Sequence, residues 1–203
     1  MPEPKAQIIV TGASRGIGAA ITRELQARGH RVAGTSRSGE TVLGRGHALD
    51  VTDAAAIART IAAIAADGPI AGLVNNAGAY VPSPSAELSA DAFEHTMRTN
   101  ATSVLVAARE VRPYLVAAGG GLIVNIGSFF DKLGVPGGLA YCASKAAVGA
   151  ITRCLAVEWA PDRIRVMNVA PGYIETDLNR DFLGNDRIKS WLARRVPAGR
   201  PGT

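Results

Sequence analysis

Tyr141 and Lys145 are the two residues of this chain whose types and spacing best suit acid–base chemistry. Residues four apart on an α-helix lie on one face, so the lysine ammonium can act on the phenol. A free phenol titrates near ~10, and proton exchange near neutrality needs a pKa lowered by roughly 3 units, or about 4 kcal/mol of preferential phenolate stabilisation. A neighbouring cation has the right sign for that effect. The pair therefore predicts a general acid/base, although this spacing also arises by chance on solvated helix faces.

Ser128 lies thirteen residues before the tyrosine and directly follows the apolar run 122–127. That run predicts a buried strand with the serine hydroxyl at its carboxyl end. Open α/β sheets bind their ligands at the carboxyl ends of their strands. We therefore expect Ser128 to join Tyr141 and Lys145 in one site.

The composition predicts one globular domain spanning residues 1–203. The chain is 47% hydrophobic and only 19% charged, and its aromatic content of 5% leaves the core to aliphatic side chains. It contains no apolar run long enough for a membrane span and no signal peptide pattern, which favours a cytoplasmic protein. Cys142 and Cys154 fall on one predicted helix, about 18 Å apart, so they are expected to be free thiols in a reducing compartment.

The formal net charge of +5 raises nucleic acid as a partner, but the distribution of the charge argues against it. Basic residues are spread along the chain without the interleaved aromatic residues of single-strand binders. One local excess comprises Arg187, Lys189, Arg194, Arg195 and Arg200. The three histidines, His30, His47 and His95, have no ligand spacing, so no metal site is predicted.

The glycine-rich stretch 11–18 follows a short apolar strand at 7–10 and precedes a helical pattern that ends near Gly29. Glycines in such a turn let backbone N–H groups approach a pyrophosphate, whose charge the helix N-terminus favours. The order strand, glycine turn, helix is what a dinucleotide site requires. An ordinary glycine-rich turn between a strand and a helix remains the alternative.

The end of the second predicted strand, 31–36, bears on the choice of cofactor. An acidic residue there would bind the ribose 2′-hydroxyl of NAD, but this chain has Arg37, with Arg15 in the glycine turn as a second cation. Two guanidinium groups favour a 2′-phosphate, so NADP(H) is expected in preference to NAD(H), which remains possible. The alternative is that both arginines are solvated surface charges.

The remaining pattern alternates strands and helices, which predicts a parallel, doubly wound sheet. Asn100 falls on an apolar helix face and needs a partner or a water there. The predicted strands are 46–51, 70–74, 122–127 and 163–169, and the predicted helical regions are 53–66, 89–118 and the stretch carrying Tyr141.

Six motifs in this order make the chain resemble the short-chain dehydrogenase/reductase family over nearly its whole length. They are Thr-Gly-x-x-x-Gly-x-Gly at 11–18, Asn-Asn-Ala-Gly at 75–78, Asn100, Ser128, Tyr141 with Lys145, and Pro171-Gly172. The resemblance implies a Rossmann-type fold, a small-molecule carbonyl or alcohol substrate, and a homodimer or homotetramer.

The resemblance also assigns roles to residues. Tyr141 would be the general acid/base, Lys145 would lower its pKa and hold the nicotinamide ribose, Ser128 would orient the substrate carbonyl, and Asn100 would support a water in a proton relay. The positions implied to bind the cofactor, besides Tyr141 and Lys145, are Gly12, Ser14, Arg15, Gly16, Ile17, Gly18, Arg37, Asp50, Val51, Asn76, Ala77, Gly78, Pro171, Gly172, Ile174 and Thr176.

The implied reaction is hydride transfer between the nicotinamide of NADP and a ketone or secondary alcohol. The first alternative is a 3-oxoacyl-[acyl-carrier-protein] reductase, for which Arg109 or Arg112 would meet the acidic carrier. The loop 79–84 does not match that subtype. A cofactor-sensing protein without turnover is a further alternative, but the catalytic set is intact.

Members of the family usually continue well beyond the position where this sequence ends. We therefore expect a truncated version of a longer chain, lacking the last strand and a C-terminal segment, with strand 163–169 left as an uncovered edge. Segment 175–196 is expected to form a lid over the site. Phe129, Phe130, Tyr173 and Leu178 are candidates for an apolar substrate pocket, or simply for the core.

Overall fold

Six parallel strands form one sheet in the order β3-β2-β1-β4-β5-β6. The computed structural model describes residues 6–42, 45–176 and 179–203. The strands are β1 (Gln7–Thr11), β2 (Arg31–Ser36), β3 (Arg45–Ala48), β4 (Ile70–Asn75), β5 (Gly121–Ile126) and β6 (Ile164–Val169). The helices are α1 (Gly16–Ala27), α2 (Ala54–Ala66), α3 (Ala90–Met97), α4 (Ser103–Ala117), α5 (Leu139–Glu158), α6 (Arg180–Gly184) and α7 (Asp186–Arg195).

The strand order reverses between β1 and β4, which places the topological switch point beside the glycine turn. β1 pairs with β2 on one side and with β4 on the other. Ligands of doubly wound sheets bind at such a crevice, outside the carboxyl ends of the strands. The predicted α/β, Rossmann-type fold is confirmed.

Aliphatic side chains fill both faces of the sheet. On one face, the core includes Ile57 and Ile61 of α2 and Val111 and Leu115 of α4. A second cluster lies on the α1 side and contains Val10, Val32 and Val74. The helix α2 begins where predicted because the Asp53 carboxylate accepts a hydrogen bond from the backbone N–H of Ala56 at 2.9 Å.

Two features of the β2–β3 region differ from the sequence predictions. β3 ends at Ala48 rather than at Val51, because the Asp50 carboxylate accepts hydrogen bonds from the N–H and the hydroxyl of Thr52 and forms a turn. No helix lies in the described part of the β2–β3 connection, whereas strict alternation was predicted. The eight residues between Ser36 and Arg45 are too few for a crossover helix.

The long helical region 89–118 is confirmed, but it is not uniform. α3 and α4 are joined by one π-helical turn, Arg98–Thr102, and Ser89 caps α3 by accepting from the N–H of Ala92 at 3.2 Å. A π-turn widens a helix locally and is often found at functional sites. Asn100 lies within this turn.

β6 forms one edge of the sheet and pairs with β5. Its other edge has no strand partner within the described residues, and Met167 and Val169 are 55% and 47% exposed. Among those same residues, no helix is long and apolar enough to cross a membrane.

Candidate active site

Tyr141, Lys145 and Ser128 meet at the carboxyl end of β5. The tyrosine and lysine share the first turns of α5, and the Nζ of Lys145 lies 5.6 Å from the centroid of the Tyr141 ring. Lys145 and Ser128 are each only 5% exposed, whereas Tyr141 is half-buried and reaches solvent. The arrangement allows an external carbonyl oxygen to approach both hydroxyl groups.

The electrostatics of the pair differ from the sequence prediction. Burial raises the pKa of Tyr141 above its ordinary value, and a hydrogen-bonding interaction with Ser128 opposes this effect without cancelling it. Burial also lowers the pKa of Lys145 to about 8. The predicted lowering of the phenol pKa is therefore wrong for this structure, because loss of water outweighs the favourable neighbours.

Lys145 is held by the end of β5. Its Nζ donates a hydrogen bond to the carbonyl oxygen of Ile126 at 2.7 Å. An ammonium has three donors, so Lys145 can keep this bond and still donate to ligand hydroxyls. A Cβ on Gly78 would lie 3.8 Å from the same Nζ, so the turn after β4 borders this position.

Asn100 uses its side chain to join three segments around the tyrosine. Its Oδ1 accepts from the N–H of Ala79, and its Nδ2 donates to the carbonyl oxygen of Ala79, both at 2.8 Å. The same Nδ2 lies 3.1 Å from the hydroxyl oxygen of Ser144 on α5. The partner expected for this polar residue is thus the protein itself, and the side chain fixes the loop that carries Tyr80.

The glycine turn has a specific reason for each of its glycines. Gly12 and Gly16 have φ values of 67° and 56°, in the left-handed region that side chains disfavour. A Cβ on Gly18 would lie 2.2 Å from the carbonyl oxygen of Gly12. The first turn of α1 can therefore pack directly on the end of β1, with its free N–H groups at the switch point.

Thr11 is a structural residue of the site that the sequence analysis did not single out. Its hydroxyl oxygen accepts hydrogen bonds from the backbone N–H groups of Asn76 and Ala77, both at 3.0 Å. The Asn76 amide returns a bond to the carbonyl oxygen of Thr11 at 2.9 Å. Asn76 and Ala77 thus tie the two strand ends together. A threonine immediately before the first turn glycine was the available signal.

The predicted cofactor-binding cations lie at adjacent strand ends. Arg15 precedes α1 and Arg37 follows β2, and both are exposed. Asp50 lies one strand further out, and hydrogen bonds from Thr52, with Arg37 nearby, hold the pKa of its carboxyl below the usual range. This region is separated from Tyr141 by the width of several strands, as an extended dinucleotide would require.

The segment after β6 returns to the glycine turn. A Cβ on Gly16 would lie 3.9 Å from Thr176, whose N–H donates to the Asn179 side chain at 2.7 Å. Ile174 is fixed by the same asparagine and by a bridge to Gly202. The predicted pocket residue Leu178 and residue Asp177 of the predicted lid lie outside the described residues. The role of Pro171, Gly172, Ile174 and Thr176 at the cofactor stays a prediction.

Aromatic residues surround the tyrosine. Tyr80 and Phe130 both make T-shaped contacts with the Tyr141 ring, with centroid distances of 5.0 and 6.4 Å. Tyr173 contacts both Phe129 and Phe130, at 5.1 and 6.1 Å. Phe129, Phe130 and Tyr173 therefore lie at the site, as expected for a pocket lining, and Tyr80 and Trp191 extend the group beyond the sequence prediction.

Known proteins match the chain over this whole architecture. The family model for short chain dehydrogenases matches residues 6–186. Gluconate 5-dehydrogenase of Gluconobacter oxydans (strain 621H) is 35% identical over 210 residues, covering 97% of this chain and 82% of the relative. The 3-oxoacyl-[acyl-carrier-protein] reductase of Vibrio cholerae serotype O1 is 37% identical over 204 residues, covering 96% and 83%.

A solved structure gives the same result at the level of the fold. The gluconate 5-dehydrogenase from Burkholderia cenocepacia J2315, in complex with NADP and tartrate, superposes with a TM-score of 0.89 at 31% identity and covers 98% of this chain and 84% of that one. This match shows that the two chains share their fold over nearly the whole of this one. The chain therefore belongs to the short chain dehydrogenase family of oxidoreductases acting on CH–OH groups.

Proposed function

We propose that the protein is an NADP(H)-dependent oxidoreductase that interconverts a ketone and a secondary alcohol, with Tyr141 as general acid/base. The convergence of Tyr141, Ser128 and Lys145 at the carboxyl end of β5 is the observation that carries this proposal. A nicotinamide cofactor supplies the hydride for reduction and accepts it in oxidation. The residues of this chain bind the cofactor, orient the substrate carbonyl and exchange the proton with its oxygen.

In reduction, the phenol of Tyr141 would donate its proton to the carbonyl oxygen, and a bound nicotinamide would supply the hydride. The Ser128 hydroxyl donates a hydrogen bond to the same oxygen and orients it. Because burial raises the pKa of Tyr141, the phenol is protonated at neutral pH, which suits the reductive direction. In oxidation the phenolate must first form and then takes the proton of the alcohol.

The described residues fit a phosphorylated dinucleotide. The positive-φ glycines expose the N-terminus of α1, where a pyrophosphate is favoured. Arg15 and Arg37 flank the adjacent strand ends and suit a 2′-phosphate. Lys145 retains donors for the ribose hydroxyls, and Asn76 and Thr11 hold the turn in place. The NADP-bound relative supports the same preference.

The acyl-carrier alternative receives less support from the surface. Arg109 pairs with Glu110 at 2.7 Å, and Arg112 pairs with Asp162 at 2.5 Å while lying over the Trp159 ring. Both cations thus already have acidic neighbours. The non-catalytic alternative predicts cofactor binding without turnover.

We also propose a cytoplasmic homodimer or homotetramer acting on a small molecule. Apolar side chains are exposed on the outer helices: Leu105 and Val116 of α4 are each 42% exposed, and Val157 of α5 is 79% exposed. Exposed apolar side chains such as these are candidates for the contact surface between subunits. Light scattering coupled to size-exclusion chromatography tests the assembly, and a strictly monomeric, active protein would refute it.

The proposed reaction is tested with the full 203-residue chain and its Tyr141→Phe variant. NADPH and NADH are titrated separately by following nicotinamide fluorescence, and ketone reduction is then measured. We expect tighter binding of NADPH by both proteins and reduction by the unmodified chain alone. Turnover by Tyr141→Phe at an unchanged rate removes the tyrosine from the mechanism, whereas binding without any turnover supports a cofactor sensor.

A further inference from the structure

The aromatic residues of this chain are concentrated around Tyr141. The sequence contains four Tyr, four Phe and two Trp. Six of these ten form one connected group, the aromatic cluster, which consists of Tyr80, Phe129, Phe130, Tyr141, Tyr173 and Trp191. The sheet core, by contrast, is almost entirely aliphatic.

Five separate segments contribute to the aromatic cluster. Tyr80 follows β4, Phe129 and Phe130 follow β5, Tyr141 lies on α5, Tyr173 follows β6, and Trp191 lies on α7. Tyr173 and Trp191 meet edge to face with ring centroids 5.6 Å apart, which connects the candidate lid to the site. These segments, distant in sequence, bring their rings together beside Tyr141 and Ser128.

These rings are not fully buried, as core residues would be. Tyr80 is 48% exposed, and Phe129, Phe130, Tyr173 and Trp191 are half-buried. Val81 follows Tyr80 and Leu139 lies two residues before Tyr141, and these apolar side chains are 66% and 48% exposed. A partly exposed apolar surface beside a reactive group is typical of a ligand-binding groove.

A polyhydroxylated acid is a poor match for this surface. Each of its hydroxyls exchanges water for protein on binding and needs a hydrogen-bonding partner. The side chains of Phe129 and Phe130 offer none, and the polar atoms of the cluster are limited to three tyrosine hydroxyls and the indole N–H of Trp191. An aromatic ring, however, gains both from burial of its area and from edge-to-face contacts with Tyr80, Phe130 and Tyr173.

We propose that the substrate is an aryl ketone and, in the reverse direction, the corresponding secondary alcohol with an aromatic ring on the carbinol carbon. This inference rests on the proposed function. The ring lies against the aromatic cluster, and the carbonyl oxygen meets Ser128 and Tyr141. NADPH gives its hydride to the carbonyl carbon, the oxygen takes the Tyr141 proton, and solvent reprotonates the phenolate, so one ketone, one NADPH and one proton yield one alcohol and one NADP⁺.

The test compares three ketones with NADPH as the reductant: acetophenone, cyclohexyl methyl ketone and 5-ketogluconate. The first two have the same carbon skeleton and differ in aromaticity, and the third represents the substrate class named for a relative. We expect kcat/KM for acetophenone to exceed that for 5-ketogluconate by about 100-fold and that for cyclohexyl methyl ketone by several-fold. A ranking with the sugar acid first overturns the aryl proposal while leaving the reductase proposal intact.

A variant pair tests the cluster directly. Phe130→Leu removes the ring but keeps apolar volume, and we expect a loss of roughly 10-fold in kcat/KM for acetophenone with little change for cyclohexyl methyl ketone. Phe93→Leu on α3, outside the cluster, is the matched control and should leave the ratio of the two values unchanged. Equal losses on both ketones for Phe130→Leu indicate a merely structural role and contradict the proposal. Thermal unfolding of both variants checks that they fold.

Binding separates failure of the substrate class from failure of the reaction. With NADPH present, 1-phenylethanol and gluconate are titrated while tryptophan fluorescence is followed, since Trp191 belongs to the cluster. Saturable quenching by 1-phenylethanol alone supports the aryl site even if no ketone is reduced, in which case the reductase proposal fails. Absence of binding by 1-phenylethanol overturns the aryl proposal.

Discussion

The Nζ of Lys145 donates a 2.7 Å hydrogen bond to the carbonyl oxygen of Ile126, two residues before Ser128. The ammonium is therefore fixed to the strand that supplies the serine. It is also almost fully withdrawn from water, and that burial lowers its pKa to about 8. The desolvation of this charge lowers the stability of the fold, as is common for residues that serve a functional site.

Lys145→Met should stabilise the protein at pH 7. The pKa of Lys145 in the folded protein, about 8, lies below the ordinary lysine value of 10.5, so below pH 8 the folded state bears the full cost of the buried charge. Removing the charge relieves its desolvation cost but loses the hydrogen bond to Ile126. The net effect should raise the free energy of unfolding by about 1–2 kcal/mol. Between pH 8 and 10.5 the unfolded chain retains a proton that the native protein has released, so wild-type stability rises with pH and the advantage of the variant shrinks. Urea unfolding at pH 7 and pH 9.5 measures both effects; an advantage that grows with pH would contradict the assignment.

The pH profile of ketone reduction should show the deprotonation of Lys145. Since kcat/KM reports the free enzyme, it should be constant at neutral pH and fall as Lys145 loses its proton near pH 8. Tyr141, whose pKa is raised, remains protonated through that range, and alcohol oxidation should accelerate with rising pH as phenolate forms. In Lys145→Arg the cation persists, so the limb near pH 8 should disappear. A limb that stays in place assigns it to another group.

Arg37→Asp should reverse the preference for the cofactor. Losing a charged contact to the 2′-phosphate and gaining a carboxylate should raise KM for NADPH by roughly 10–100-fold and improve KM for NADH. Arg23→Asp on α1 makes the same change of charge away from the end of β2 and serves as the control. Equal effects of the two variants would indicate a long-range electrostatic cause, and the salt dependence of KM would then show it.

Thr11→Val should weaken both the fold and the cofactor site. Valine has a similar shape but cannot accept the bonds from Asn76 and Ala77, so two backbone N–H groups lose their partner. We expect a loss of about 2 kcal/mol in stability and weaker NADPH binding. Thr22→Val is the control, because the Thr22 hydroxyl donates only to the Gly18 carbonyl one turn earlier in α1. If both variants lose the same stability and NADPH affinity, the hydrogen bonds of Thr11 between β1 and β4 do not contribute more than an ordinary helix hydrogen bond.

Arg163→Gly should stabilise the protein. Arg163 has a φ of 57°, in the left-handed region, which costs a side chain about 1 kcal/mol. Glycine also adds conformational entropy to the unfolded chain, which lowers stability. Because the relieved strain is the larger of the two free energies, a net gain of about 0.5 kcal/mol is expected. Arg165→Gly, two residues on in extended β6, should instead lose about 1 kcal/mol. Thermal unfolding of the two variants measures whether stability rises in Arg163→Gly and falls in Arg165→Gly.

Local patterns were sufficient to predict most of the elements. The bounds predicted for 31–36 and 53–66 match β2 and α2 almost to the residue, because end signals such as the Asp53 cap and the Gly68-Pro69 stop act within a few residues. The prediction failed between β2 and β3, where a turn built on Asp50 ends the strand early. Such a turn depends on side-chain hydrogen bonds that no hydrophobic period records.

The catalytic candidates were likewise visible in the sequence, since Tyr141 and Lys145 lie four residues apart and Ser128 ends an apolar strand. Their protonation was not. The direction of each pKa shift depends on how much water the tertiary structure removes, and burial reversed the effect expected from the lysine charge.

Sequence alone thus determined the family, most of the strands and helices and the four-residue spacing of Tyr141 and Lys145, because these depend on residue type and short spacing. Tertiary structure decided what surrounds the pair. Asn100 contacts Ala79 and Ser144, and Thr11 ties β1 to β4. The ring of Tyr80 contacts that of Tyr141, and the ring of Trp191 contacts that of Tyr173. Contacts between residues so far apart in sequence exist only once the sheet has brought the strand ends to one edge.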